Sequence, residues 1–266
     1  MSEAKHWLIT GISSGIGAAL ADAALERGDS VVGTARSDED VAKFNDRAPG
    51  RSKAVRLDVT NPTDVEKTIA AIIADGPLDI VVNNAGQSIY GAFEETSIAE
   101  AKALFDVNLF GPWALAQAVL PHFREKRAGH LIHMSSGCGL NGTPGLSAYC
   151  ASKFALEGLS EALSYEAAQF GIKLLIVEPG AVATKFISHG TRETAQRMPE
   201  YGFLSGDGKA ALEGYYATCA ASPESVAQAV LRAIENPETP LRLIVGDDMR
   251  DPVRAKGEQL LSLANA

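Results

Sequence analysis

Cysteine is scarce in this chain of 266 residues: Cys138, Cys150 and Cys219 are an odd number with no CxxC spacing. That argues against a disulfide framework and against a thiolate metal site, and it suits a reducing cytosol. Histidine offers no substitute. His6, His122, His130, His133 and His189 are scattered, and the strand-like alternation of HLIHMSS sends His130 and His133 to opposite faces. No metal is expected. Positive charge is in deficit, with 24 Lys and Arg against 33 Asp and Glu and a net charge of −9. A nucleic-acid groove or an anionic membrane surface is therefore a poor partner, although a locally positive pocket can still hold an anion. Apolar runs approaching the ~20 residues of a membrane span are missing. MSEAKHWLIT passes straight into a short apolar strand, without the basic, apolar and cleavage regions of a leader. A cytoplasmic chain is the expectation.

What is present is an ordinary globular composition, 46% apolar and 21% charged. The length suits one domain spanning 1–266. Short apolar runs alternate with helical patterns. The runs are HWLIT (6–10), SVVGTA (30–35), AVRLDV (54–59), LDIVVNN (78–84), GHLIHMS (129–135), IKLLIVE (172–178) and LRLIVG (241–246). They are near-continuously apolar, as strands buried on both faces of a parallel sheet are. Helical patterns fall at 15–27, 62–75, 97–127, 147–170 and 223–235. This order predicts an α/β fold, a doubly wound parallel sheet with helices on both faces. The irregular stretch 184–221 leaves the carboxyl edge of the sheet, where such folds bind ligands, and reads as a substrate-covering lobe. Its Phe186, Met198, Tyr201, Phe203, Leu204 and Tyr215 suggest a neutral, partly apolar substrate. Residues 247–266 form a C-terminal extension.

TGISSGIG, with Gly11, Ser13, Ser14, Gly15, Ile16 and Gly17, follows the first strand and opens the first helix. Glycine lets backbone approach a ligand closely. The helix start offers unpaired N–H groups and a positive dipole end to a pyrophosphate. The GxxxGxG spacing differs from the general dinucleotide fingerprint, and no lysine follows to make a P-loop. At the end of the second strand, GTARS carries no carboxylate for a ribose 2′-hydroxyl. Arg36 stands there instead, and a guanidinium suits the 2′-phosphate of NADP(H) over NAD(H). Asp58 and Val59 are placed to meet the adenine edge. Asn84, Ala85 and Gly86 of NNAG end the fourth strand beside the cofactor.

Tyr149 and Lys153 in SAYCASKF are four residues apart, on one face of a predicted helix. An ammonium beside a phenol favours the phenolate, so the tyrosine pKa is expected to fall toward the range of a general acid. Ser136 lies thirteen positions upstream.

Taken in order, TGISSGIG, LDV, NNAG, VNLFG, SS…YCASK and EPGAV resemble the short-chain dehydrogenases/reductases in their single-domain branch, closely over 6–184 and loosely to 246. The resemblance implies a Rossmann-like sheet of order 3-2-1-4-5-6-7 and a bound NAD(P)(H). It also implies a tetrad, here Asn108, Ser136, Tyr149 and Lys153. Tyr149 would exchange a proton with the substrate oxygen and Ser136 would hold that oxygen. Lys153 would meet the nicotinamide ribose, and Asn108 would hold a water behind it. Pro179, Gly180, Val182 and Thr184 would meet the nicotinamide amide. The implied activity is NADP(H)-dependent interconversion of a ketone or aldehyde with an alcohol. Alternatives are a cofactor-binding regulator without turnover and a nucleotide-sugar epimerase or dehydratase, the latter short of room for a second domain. Two features depart from the family pattern. Ser14 stands where many NADP-using relatives carry a basic residue, and the tail continues past the last strand. A homodimer through helices 97–127 and 147–170 is expected, with a homotetramer as the alternative.

Overall fold

The computed structural model describes residues 4–204, 208–219 and 221–265. Seven parallel strands form the main sheet: β1 (His6–Thr10), β2 (Ser30–Ala35), β3 (Ser52–Arg56), β4 (Ile80–Asn83), β6 (Gly129–Met134), β7 (Ile172–Pro179) and β9 (Arg242–Val245). Their spatial order is β3-β2-β1-β4-β6-β7-β9. That is the expected 3-2-1-4-5-6-7, once two short strands outside this sheet are counted separately. Those are β5 (Ser88–Tyr90) and β8 (Thr191–Glu193), which pair with each other.

Apolar strands fold this way because both faces must be covered. On β1, Trp7 and Ile9 enter one core cluster and Leu8 the other. On β6, Ile132 and Met134 face the first cluster and Leu131 the second. Helices α1 (Gly15–Glu26) and α8 (Pro223–Glu235) pack together over the first face. Helices α3 (Pro62–Asp75) and α5 (Gly111–Lys126) cover the second, with α6 (Ser147–Ala168) beside them. Loops at the carboxyl ends of β1 and β4, on either side of the order reversal, make the crevice that such sheets offer to ligands.

Three expectations need correction. The helix over 97–127 is interrupted: α4 (Ile98–Phe105) passes through a π-helical turn at Asp106–Phe110 into α5. Pro112, in the first turn of α5, has no N–H to continue the α ladder, and Gly111 bonds instead to the Asp106 carbonyl five residues back. The combined helix Ile98–Lys126 is, among the described residues, long and apolar enough to cross a bilayer by length and composition. Here Leu104, Leu109, Leu115, Val119 and Phe123 point into the core. The third strand ends at Arg56, so Asp58 and Val59 lie on the loop beyond it. Finally, the stretch after β7 is structured. It holds a π-helical turn at Phe186–Gly190, β8, and helix α7 (Lys209–Cys219).

Two further helices complete the chain, α2 (Asp38–Asn45) and α9 (Arg250–Ala264). Among the described residues no cluster of His, Cys, Asp and Glu has a metal-binding arrangement.

Candidate active site

The helix ends around the crevice differ in how their free N–H groups are used. Ser37, Asn61, Ser97 and Ser222 cap α2, α3, α4 and α8 with side-chain hydrogen bonds. Ser14, at the start of α1, makes no such bond, and no acidic residue occupies the first turn. That helix end keeps its donors and its positive dipole for an anion. The glycines leading into it are sterically required. Gly11 and Gly15 have φ of 73° and 62°, where a Cβ is strained. A Cβ on Gly17 would stand 2.3 Å from the Gly11 carbonyl oxygen and 2.4 Å from Asn84 Nδ2. Asn84 clamps this turn by donating to the carbonyls of Thr10 and Gly11 at 2.8 and 3.0 Å.

The turn forms one wall of a cleft of about 480 Å³, within the range of small-molecule sites. The cleft gathers the predicted cofactor residues Gly11, Ser13, Ser14, Gly15, Ile16, Arg36, Asp58, Val59, Asn84, Ala85, Gly86, Pro179, Gly180, Val182 and Thr184. Gly17 lies behind it as a packing contact. Arg36 is exposed at the rim and makes no hydrogen bond or ion pair with any described residue. Asp40, whose carboxylate accepts from Ser37 Oγ at 2.7 Å, lies on the same rim. Asp58 accepts from Thr60 N and Oγ1 at 3.0 and 2.8 Å.

Ser136, Tyr149 and Lys153 line the opposite wall. Helix α6 brings the last two together: Lys153 Nζ lies 5.8 Å from the centre of the Tyr149 ring and donates to the Met134 carbonyl at 2.8 Å. Ser136 leaves the end of β6 and accepts from Cys138 N at 3.1 Å. Asn108 does not line the cleft. It sits fully buried on the π-helical turn, bonded to the backbone N–H and carbonyl of Gln87 and to Ser152 Oγ. A Cβ on Gly86 would lie 3.5 Å from Asn108 Oδ1 and 3.8 Å from Lys153 Nζ, so the glycine separates the two side chains closely. The widened turn is what carries the Asn108 amide to that strand loop; π turns recur at functional sites.

The tyrosine departs from expectation. Its pKa is raised well above the usual phenol value, chiefly because burial disfavours the phenolate, and the neighbouring Cys138 thiolate pushes the same way. The ammonium stands 5.8 Å from the ring centre, and its charge does not overcome the burial. The Ser136 hydroxyl pulls weakly the other way. Burial also lowers Lys153 to about 8, with Glu157 opposing. Cys138 is held at about 7 by hydrogen bonding to Cys150, whose own thiol is raised. Beneath this wall Glu178, pushed up to about 8 by burial, shares Arg242 with Glu157.

Of the expected lobe side chains, only Phe186 lines the cleft, its ring 5.9 Å from that of Tyr149. Phe203 is exposed, Tyr201 bonds to Glu94, and Tyr215 bonds to Asp248. Sequence reasoning missed Tyr216, Lys185 and His189, which do line it. The paired aromatics in GYYA were a visible signal for Tyr216, without a clue to which ring turns inward.

The model of the short chain dehydrogenases matches residues 5–195. An oxidoreductase of Botryotinia fuckeliana, BOA17, is 37% identical over 246 residues, 92% of this chain and 89% of its own length. A solved short-chain dehydrogenase from Streptomyces avermitilis is 40% identical, with a TM-score of 0.92, over 100% of this chain and 96% of that one. Two more distant structures carry coenzyme. A short-chain dehydrogenase/reductase from Burkholderia phymatum, in complex with NAD, is 25% identical at a TM-score of 0.86 over 98% and 95% of the two chains. A serine dehydrogenase complexed with NADP+ is 27% identical at 0.79 over 90% and 94%. A match over this much of the sequence, on this sheet and with this cleft, makes the chain a member of the short-chain dehydrogenase/reductase family, an oxidoreductase fold built for a nicotinamide coenzyme.

Proposed function

We propose that this chain is an NADP(H)-dependent oxidoreductase that interconverts a ketone or aldehyde with its alcohol. The observation that carries the reading is a single cleft with a bare helix end and glycine turn on one wall and Ser136, Tyr149 and Lys153 on the other. The glycine cradle fits a pyrophosphate, since any Cβ at Gly17 would fill the approach. When bound, the coenzyme supplies or accepts the hydride.

The chain's own residues do the rest. Tyr149, kept neutral by burial, is in the state needed to give its proton to a carbonyl oxygen. Ser136 holds that oxygen by a hydrogen bond. Lys153, steadied by the Met134 carbonyl, would bind the ribose hydroxyls. Asn108 orders Gln87 and Ser152 behind the lysine, the place where a water would connect it to solvent. Gly11, Ser13, Ser14, Gly15 and Ile16 receive the phosphates. Asp58 and Val59 would meet the adenine edge, and Asn84, Ala85 and Gly86 would flank the coenzyme. Pro179, Gly180, Val182 and Thr184 seat the carboxamide. Arg36 takes the 2′-phosphate and sets the preference for NADP(H). Phe186 at the tyrosine favours a small neutral, partly apolar substrate. Exposed Phe110 and Trp113 at the start of α5, with Phe154 and Tyr165 on α6, suit a homodimer face, which light scattering would detect. The free thiols of Cys138 and Cys150 suit the cytoplasmic location we propose.

Replacing Tyr149 with Phe should leave NADPH affinity intact and lower reductase turnover about 10²–10⁴-fold; turnover equal to wild type would remove Tyr149 from the reaction. Arg36→Ala should weaken NADPH binding about tenfold and spare NADH, read by fluorescence titration. Equal losses for both coenzymes would take Arg36 out of the phosphate site.

A further inference from the structure

Helix α7 carries adjacent tyrosines that serve different neighbours. Tyr215 donates from its hydroxyl to Asp248 Oδ2 at 2.8 Å. The same oxygen accepts from Ala181 N at 2.9 Å. Asp248 thereby ties together the turn after β9, the loop after β7 and the lobe helix. The junction is tight: a Cβ on Gly180 would stand 2.3 Å from both Asp248 carboxylate oxygens. The next residue, Met249, packs so closely on Gly137, beside Ser136, that a Cβ there would lie 2.3 Å from its sulfur. The height of α7 over the cleft is thus set by a charged hydrogen bond anchored next to the cleft wall.

Successive helical residues diverge by about 100°. Tyr216 does not share the Tyr215 hydrogen bond to Asp248, although that carboxylate is near enough to act on its phenol, and it lines the cleft with Ser136, Tyr149 and Phe186. Its ring stands edge-on to that of Tyr215 at 6.1 Å. Its hydroxyl bonds to no described residue. Burial raises the phenol to about 12, so it remains a neutral donor at physiological pH. The side chain is half-buried, and its unbonded hydroxyl is left for a ligand or solvent group to meet. Ser136 and Tyr149 converge on the reacting oxygen from β6 and α6. Tyr216 arrives from a third element, so it addresses a different atom of the same ligand.

We propose that Tyr216 is a specificity-determining residue whose hydroxyl bonds a second oxygen of the substrate, which is then an apolar ketone or aldehyde carrying a hydroxyl, ester or second carbonyl near the reacting carbon. Asp248, acting through Tyr215, is the positioning residue that keeps Tyr216 at that oxygen. The assignment rests on the reductase reading above and names its substrate class.

The test compares an aryl β-ketoester with an aryl alkyl ketone of equal length, using NADPH. Tyr216→Phe should lower kcat/KM about tenfold on the ketoester and less than about twofold on the plain ketone, with NADPH affinity unchanged. Equal losses on both compounds, or none on either, would overturn the assignment. Asp248→Asn should raise KM for the ketoester in wild type and add nothing further in the Tyr216→Phe background; additive effects would remove Asp248 from the role. If wild type reduced neither compound, the reductase reading would fail separately. Calorimetry on the NADPH complex would then decide: an about tenfold preference for the ketoester, abolished by Tyr216→Phe, supports the assignment, and equal affinities overturn it.

Discussion

At Gly17 a methyl group would collide with backbone at 2.3 Å, whereas at Gly202 or Gly214 in the lobe it would meet nothing within 4 Å. The two regions are held by different forces. Around the glycine turn, Ile9, Ile12, Leu20 and Val31 are almost wholly buried in one continuous apolar cluster. The lobe is tied to the body by carboxylates. Buried Glu95 accepts from Ala92 N and Met198 N and pairs with Arg197 at 3.3 Å. Glu100 of the body accepts from Ala195 N, while Glu193 braces the lobe internally by pairing with Arg197 and Lys209. Close packing forbids change on the coenzyme side. A frame of polar contacts lets side chains on the lobe be exchanged at modest cost to stability, and loop variation of this kind is how one fold serves many substrates.

The sharpest way to break this contrast is Gly17→Ala. It should abolish coenzyme binding and cost about 3 kcal/mol, because the Gly11 carbonyl is backbone and the Asn84 amide is held by its two hydrogen bonds, so neither turns aside freely. Gly202→Ala should leave both unchanged. Denaturant unfolding with coenzyme titration reads the pair, and a mild Gly17 variant would end the argument.

Acid should act next, and on the sheet. Burial holds His133, on β6, at about 4, against an ordinary value of 6.5. Between those values the unfolded chain binds the proton and the folded chain does not. Stability should therefore fall as pH drops from 7 to 5, by about 2 kcal/mol from this group. His133→Asn should flatten that slope in urea unfolding; an unchanged slope would discount the histidine.

Arg197→Ala should have the smallest effect, about 1 kcal/mol, since Glu95 keeps its two backbone donors. Limited proteolysis should show faster cleavage in the lobe at unchanged NADPH affinity. Lost coenzyme binding would mean that the two regions are not separable.

Much of this was legible beforehand because it rests on local pattern. Apolar runs bounded by glycine and serine marked the main strands in their right order, although the third was read over 54–59 and lies at Ser52–Arg56. Tyr149 and Lys153 could be put on one face by spacing alone. Helix α2 was missed although Ser37 and Asp40 carry its capping signal, since eight residues with a single buried side chain, Phe44, show little periodicity. The β5–β8 pairing joins residues about a hundred positions apart, which no local pattern reports. The direction of the Tyr149 shift was misjudged for a related reason. Spacing fixes a neighbour in sequence, but burial and the distance of the ammonium from the ring are properties of the packed site.

Residue order by itself determined the sheet and the glycine turn and singled out the side chains proposed to react, because hydrophobic period and backbone freedom are written one residue at a time. Tertiary structure alone decided that Asn108 reaches Gln87 through a widened turn, that Tyr149 rests protonated, and that Tyr216 enters the cleft while Tyr215 grips Asp248. Those outcomes depend on desolvation and on contacts between distant segments, which exist only once the chain has closed on itself.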